Sequence, residues 1–253
     1  MMGTGDGRRD SLNRELLLIL LTGTLVVVAV VAAIPWFRTS RPLHGSPIAA
    51  TGDALAAGIF LGAGLIHMLP DAAQGYAAYG TGYPWPFVIC GATILGLALL
   101  EHLALGSGRS AVPALAAAIA LAAHSFLAGA ALGATSREAA VLALFLALIA
   151  HKGAASFSLA QVLTESPLSR RRALTMQNMF IAALPLGVAL GAVAIRQEQA
   201  WPLAKPTILA LGAGTFLHFG LQRHRARAPT SGRARWVMPW FGFALMALIA
   251  VVD

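Results

Sequence analysis

Two polar pairs interrupt long apolar runs: His124-Ser125, in the stretch that begins at Val112, and His151-Lys152, in the one that ends at Leu163. As helices both runs are long enough to cross a bilayer, which puts the pairs near its midplane, where a charged side chain costs about 2.5–3.5 kcal/mol. Ionisable residues retained at that cost mark ion or substrate pathways. Only Thr135-Ser136-Arg137-Glu138 separates the runs, so the helices are predicted to be antiparallel neighbours with His124 and His151 at similar depth. Neutral imidazole ligates Zn, Fe, Ni or Cu, and a facing pair points to a metal or proton site. Ser125 would add an oxygen or hold a water. The competing reading has each histidine bonded to a carbonyl or serine, tying helices together. Lys152 has three readings. Its ammonium repels a second cation, so it stands in for one, exchanges protons, or rests on a carbonyl as structure.

Lesser polar positions lie toward the ends of other runs. His67 and Asp71 flank Pro70 and form either an entrance site or a capped helix end. His218 either continues a path or is a satisfied core histidine. Glu101-His102 reads as interfacial, and Gln177 and Asn178 as cross-helix bonds or ion contacts.

The chain that must position these residues has 253 residues, 58% of them hydrophobic and 11% charged, too apolar for a soluble domain of this size. Eight transmembrane helices are expected, at about Leu16–Phe37, Pro47–Leu69, Pro84–Leu105, Pro113–Ala134, Glu138–Leu163, Ala173–Ile195, Leu203–Gln222 and Trp236–Val252. They make one transmembrane domain, residues 16–253, behind a polar tail, residues 1–15, expected to be disordered. The first run exceeds the apolar core of a signal peptide and ends in Pro35-Trp36 without a cleavage site. The second is expected to stop at His67-Met68-Leu69-Pro70-Asp71, and Pro185 to kink the sixth.

Several classes are excluded. One cysteine, Cys90, allows neither a disulfide framework nor a CxxC metal site. The net charge of +8 comes largely from arginines in short loops without interleaved aromatics, which argues topology rather than nucleic acid. With the N-terminus outside, more of these arginines fall in inner loops, at Arg38, Arg170 to Arg172 and Arg223 to Arg235, so both termini are expected to be extracytoplasmic. No Walker-type nucleotide motif is present, and no enzyme activity is expected.

Gly58-Ile59-Phe60-Leu61 in the second helix and Gly214-Thr215-Phe216-Leu217 in the seventh share G-x-F-L. If helices one to three recur as six to eight, the two helices between them invert the second copy, a transporter architecture with the site at the repeat interface.

At these residues the sequence resembles the ZIP (Zrt/Irt-like) family of divalent metal transporters. Gly58 to Leu61 with His67-Met68-Leu69-Pro70-Asp71-Ala72 resembles the family's second helix. His124-Ser125-Phe126-Leu127-Ala128-Gly129-Ala130-Ala131-Leu132-Gly133 resembles its fourth, usually HS-x-x-E-G-x-A-x-G. His151-Lys152-Gly153 with Ser156-Phe157-Ser158-Leu159 resembles a fifth helix of HKG type. Pro185-Leu186-Gly187 with Gly191, and Ala213 to Leu217, resemble the sixth and seventh. The resemblance implies an all-α, eight-helix bundle with an inverted repeat around helices four and five. It also implies passage of Zn2+ or a similar cation toward the cytoplasm across a cell (inner or plasma) membrane, by passive alternating access. The cation is substrate, and no cofactor is expected. The other partners are the lipid bilayer and a second copy of the chain in a homodimer.

The resemblance carries His124 and His151 over as ligands, Ser125 as their neighbour, and Lys152 as the replacement for an acidic second-site ligand. His67 and Asp71 are further metal-site candidates, and His218 is a pathway candidate. The sequence departs from the pattern at Ala128, where the fourth helix normally has glutamate, and at Gln222-Arg223, where an acid is normal. Two neutral imidazoles and a hydroxyl leave a divalent charge uncompensated. The alternative is therefore a non-transporting metal sensor or partner subunit that has lost the acidic ligand. A haem carrier with the two histidines as axial ligands is a remoter reading.

Overall fold

The computed structural model describes residues 6–38, 46–80, 82–106, 111–135, 138–194, 203–225 and 234–251, and among them all regular structure is helical. In chain order the helices are α1 (Asp6–Arg38), α2 (Pro47–Gly62), α3 (Leu69–Ala78), α4 (Trp85–Gly106), α5 (Val112–Ala134), α6 (Glu138–Glu165), α7 (Arg170–Ala194), α8 (Ala204–Arg225) and α9 (Ala234–Ile249), with a π-helical segment at Ala63–Met68 joining α2 to α3. Among the described residues six helices are long and apolar enough to cross a membrane: Asn13–Arg38, Ala49–Ala78, Trp85–Leu103, Val112–Ala134, Leu144–Glu165 and Arg170–Val193. α9 is a shorter apolar helix. α8 is buried throughout residues 212–220, with Leu211 and Leu221 exposed on either side, and is built from small residues as much as apolar ones.

Two boundaries differ from the sequence reading. The second span does not stop at Pro70; it runs on to Ala78. Pro70 lacks an N–H and would clash in a regular turn. The π turn absorbs the misfit by shifting the hydrogen-bond register, with Leu69 N–H reaching the Gly64 carbonyl five residues back. α1 begins at Asp6, inside the segment read as a tail. Its Arg14 guanidinium donates to the carbonyls of Gly133 (2.9 Å) and Thr135 (3.1 Å), which end α5 with few partners of their own. Of the loop between the third and fourth spans, residues 107–110 lie outside the described residues.

The bundle closes through backbone contacts that only glycine permits. A Cβ at Gly129 or Gly133 on α5 would strike the Leu184 or Val188 carbonyl on α7, and one at Gly187 or Gly191 would strike Phe126 or Ala130 in return. α2 and α9 interlock likewise, Gly58 on Pro239 and Gly242 on Leu55. Small residues four apart allow this approach, and dispersion contacts between the backbones then hold the helices where water-driven burial is absent. The other strong pairings are α1 with α6 and α4 with α8.

Replacing Gly187 by valine should cost about 1–3 kcal/mol through overpacking. Gly96 on α4 has nothing within 4 Å of a built Cβ, so its alanine variant should be neutral. Thermal unfolding in detergent checks this: the expected result is a lower Tm for Gly187→Val alone, and equal Tm values would contradict the packing.

Candidate metal site

Four aromatic rings from four helices meet in the core. The rings of His124 (α5) and His151 (α6) lie 5.8 Å apart between centroids, inclined at 57°. Phe216 of α8 touches both, at 4.6 Å from His124 and 5.3 Å from His151. Phe60 of α2 stacks against Phe216 at 5.0 Å. The two phenylalanines of the G-x-F-L echo thus form one wall. Gly212 of α8 passes over His124, and a Cβ there would fall 2.7 Å from its Nδ1 and into the Met68 methyl. The glycine lets α8 and the π segment close on the ring.

The imidazole nitrogens are not absorbed by the helices. His124 Nε2 and His151 Nδ1 are buried without a hydrogen bond of good geometry. The nearest backbone partner of the His151 ring is the Ala147 carbonyl, one turn back. His67, in the π segment, stands within electrostatic range of both rings and faces Asp71 Oδ2 at 3.5 Å. Among the described residues no three His, Cys, Asp or Glu side chains converge as a set able to hold one ion. The core therefore offers two nitrogens, with His67-Asp71 toward one side.

Lys152 and Ser125 bond to each other and to α7. Lys152 Nζ donates to Ser125 Oγ and, at 3.4 Å, to the Phe180 carbonyl of α7, and it lies 3.8 Å from the centroid of the Phe180 ring. Ser125 Oγ donates to the same carbonyl at 3.3 Å. Of the three readings of Lys152, the geometry favours structure: a buried ammonium held by a hydroxyl, a carbonyl and a ring face. Ala128, one turn beyond His124, packs against the apolar cluster of Leu18, Leu25 and Leu132, so the position normally glutamate is filled by hydrocarbon.

His218 joins a different group, six residues or about 9 Å along α8 from Gly212. Its Nε2 lies 3.2 Å from Glu101 Oε1 of α4, and the Gln222 amide donates to Glu101 Oε2. The sequence reading treated Glu101 as interfacial and missed this pairing, which needs the packing of α4 on α8 to be known. Gln177 donates to Ser156 Oγ at 2.8 Å, and Ser156 to the Ala29 carbonyl at 2.5 Å, tying α7, α6 and α1. Asp53 and Phe216 were also missed. An acid inside the small-residue run from Ala49 to Gly62 is a signal that would have found the first, and the G-x-F-L echo the second.

Long apolar helices packed side by side around buried imidazoles define a multi-pass integral membrane protein. The family model for the ZIP zinc transporter matches residues 105–250, more than half of the chain. The chain belongs to the ZIP family and is a metal-ion transporter by membership. No curated protein matches the chain. His67, Asp71 and Asp53 lie outside the matched range, while both core histidines, Lys152 and His218 lie within it.

Ser125→Ala would leave the buried Lys152 ammonium short of a partner and should lower stability by about 1–3 kcal/mol. Adding Lys152→Met should recover most of that loss, because an unpaired buried charge is then removed. Melting curves of the single and double variants test this; an unchanged Tm for Ser125→Ala would contradict it.

Proposed function

We propose that the chain carries divalent metal cations, Zn2+ foremost, toward the cytoplasm through His124 and His151. The supporting observation is the pair of buried imidazoles at the junction of α5, α6 and α8, with His124 Nε2 and His151 Nδ1 lacking a hydrogen bond of good geometry. Buried imidazole nitrogens without a well-formed hydrogen bond are suited to ligate a metal ion. His67 and Asp71 would receive the ion on the outer side, and His218 with Glu101 would pass it inward. The proposal includes eight crossings in a single transmembrane domain, residues 16–253, with both termini extracytoplasmic in a cell membrane.

An inverted repeat has its own support. Exchanging spans one and six, two and seven, three and eight, and four and five maps the strong helix pairings onto one another: α1 with α6 onto α7 with α5, and α2 with α9 onto α8 with α4. Such a twofold relation suits rocking of one half against the other around a central site. The second reading, a sensor or partner subunit, is favoured by Ala128 and by the lack of a third converging ligand among the described residues.

Initial-rate uptake of radioactive zinc into proteoliposomes tests the proposal. Saturable uptake is expected, reduced at least tenfold in His124→Ala and in His151→Ala. Uptake no higher than in empty liposomes, from folded protein, would overturn transport. In that case Ala128→Glu should create uptake if the missing carboxylate is the cause.

A further inference from the structure

Asp53 is the one acidic side chain buried in the core among the described residues, at 6% exposure. It lies on α2 and accepts a hydrogen bond at 3.0 Å from Nε2 of Gln161 on α6, itself 2% exposed. The bond joins α2 to α6 through two polar side chains. An ionisable residue buried between transmembrane helices marks function before structure.

Its placement relates it to the histidines. On α6, Ser158 lies seven residues beyond His151 and Gln161 three further, so the three share one stripe, and all are buried. On α2, Asp53 and Phe60 lie seven residues apart on one face, and His67 follows within the π segment. The two stripes meet along the packing of α2 on α6, with the Phe60–Phe216 stack between the acid and the imidazoles. At 1.5 Å per residue, Gln161 is about 15 Å along α6 from His151.

We propose that Asp53, the Gln161 side-chain carbonyl and the Ser158 hydroxyl form a second divalent-cation station between α2 and α6, on the opposite side of the histidine pair from Asp71. Gln161 presents its amide nitrogen to Asp53; a half-turn of the carboxamide presents the oxygen instead at no change in shape. One carboxylate and two neutral oxygens suit a divalent ion held loosely, as a stepping site requires. The station supplies the negative charge that Ala128 withholds, displaced along the seam instead of beside the imidazoles. Its direction of use rests on the transport reading; its existence as a binding site does not.

Equilibrium dialysis of radioactive Zn2+ against the purified full chain in detergent tests it. The wild type should bind two ions. Asp53→Asn, which keeps the size and hydrogen-bonding reach of the side chain, should lose one of them or weaken it at least tenfold, and the His124→Ala/His151→Ala double variant should lose the other. Unchanged stoichiometry and affinity in folded Asp53→Asn would overturn the station. If that variant does not fold, Gln161→Glu serves: a second carboxylate should tighten one site at least fivefold, and unchanged affinity overturns the proposal. Two bound ions without uptake would remove transport and leave the station, whereas histidine-dependent uptake with an unaltered Asp53→Asn binding curve would do the reverse.

Discussion

A buried polar nitrogen without a hydrogen bond costs about 1–3 kcal/mol, and the core of this bundle is arranged around two of them, on His124 and His151. Neither ring is free to turn toward a better partner. Phe216 presses on both, Phe60 backs Phe216, and Gly212 brings α8 onto the edge of His124. Those contacts depend in turn on the glycine interlock that fixes α5 to α7 and on the Ser156–Ala29 bond that fixes α6 to α1.

Charge is distributed with similar economy. Among the described residues the one buried lysine, Lys152, is held by Ser125 and by the carbonyl of Phe180 on α7. The carboxylate that would sit one turn from His124 is absent, and Ala128 fills that position against Leu18 and Leu25. A neutral pair binds a divalent ion weakly, and weak binding at several sites is compatible with passage. Among the described residues Asp71, Glu101 and Asp53 each pair with another polar side chain, His67, His218 and Gln161 in turn.

Much of this was legible in the sequence. Helix lengths, the four-residue turn and the two histidines predicted their juxtaposition, because local period and short loops determine which helices are neighbours. Ser125 and Lys152 were legible as residues but not as a pair, since their bond depends on Phe180 of a helix that the sequence does not place. The run through Pro70 was misread because a single π turn, invisible to a 3.6-residue period, rescues the broken hydrogen bond. Glu101 with His218, and Asp53 with Gln161, depend on long-range packing and leave only a faint trace: an acid where its neighbours are apolar.

X-ray absorption at the zinc edge reads the central pair most directly. With one zinc per chain bound to the Asp53→Asn variant, the spectrum should carry imidazole scattering from two nitrogens at about 2.0–2.1 Å, and the His124→Ala/His151→Ala changes should abolish it. A zinc shell of oxygen alone, or one indifferent to loss of both histidines, would contradict the assignment of the core imidazoles as the ion's ligands.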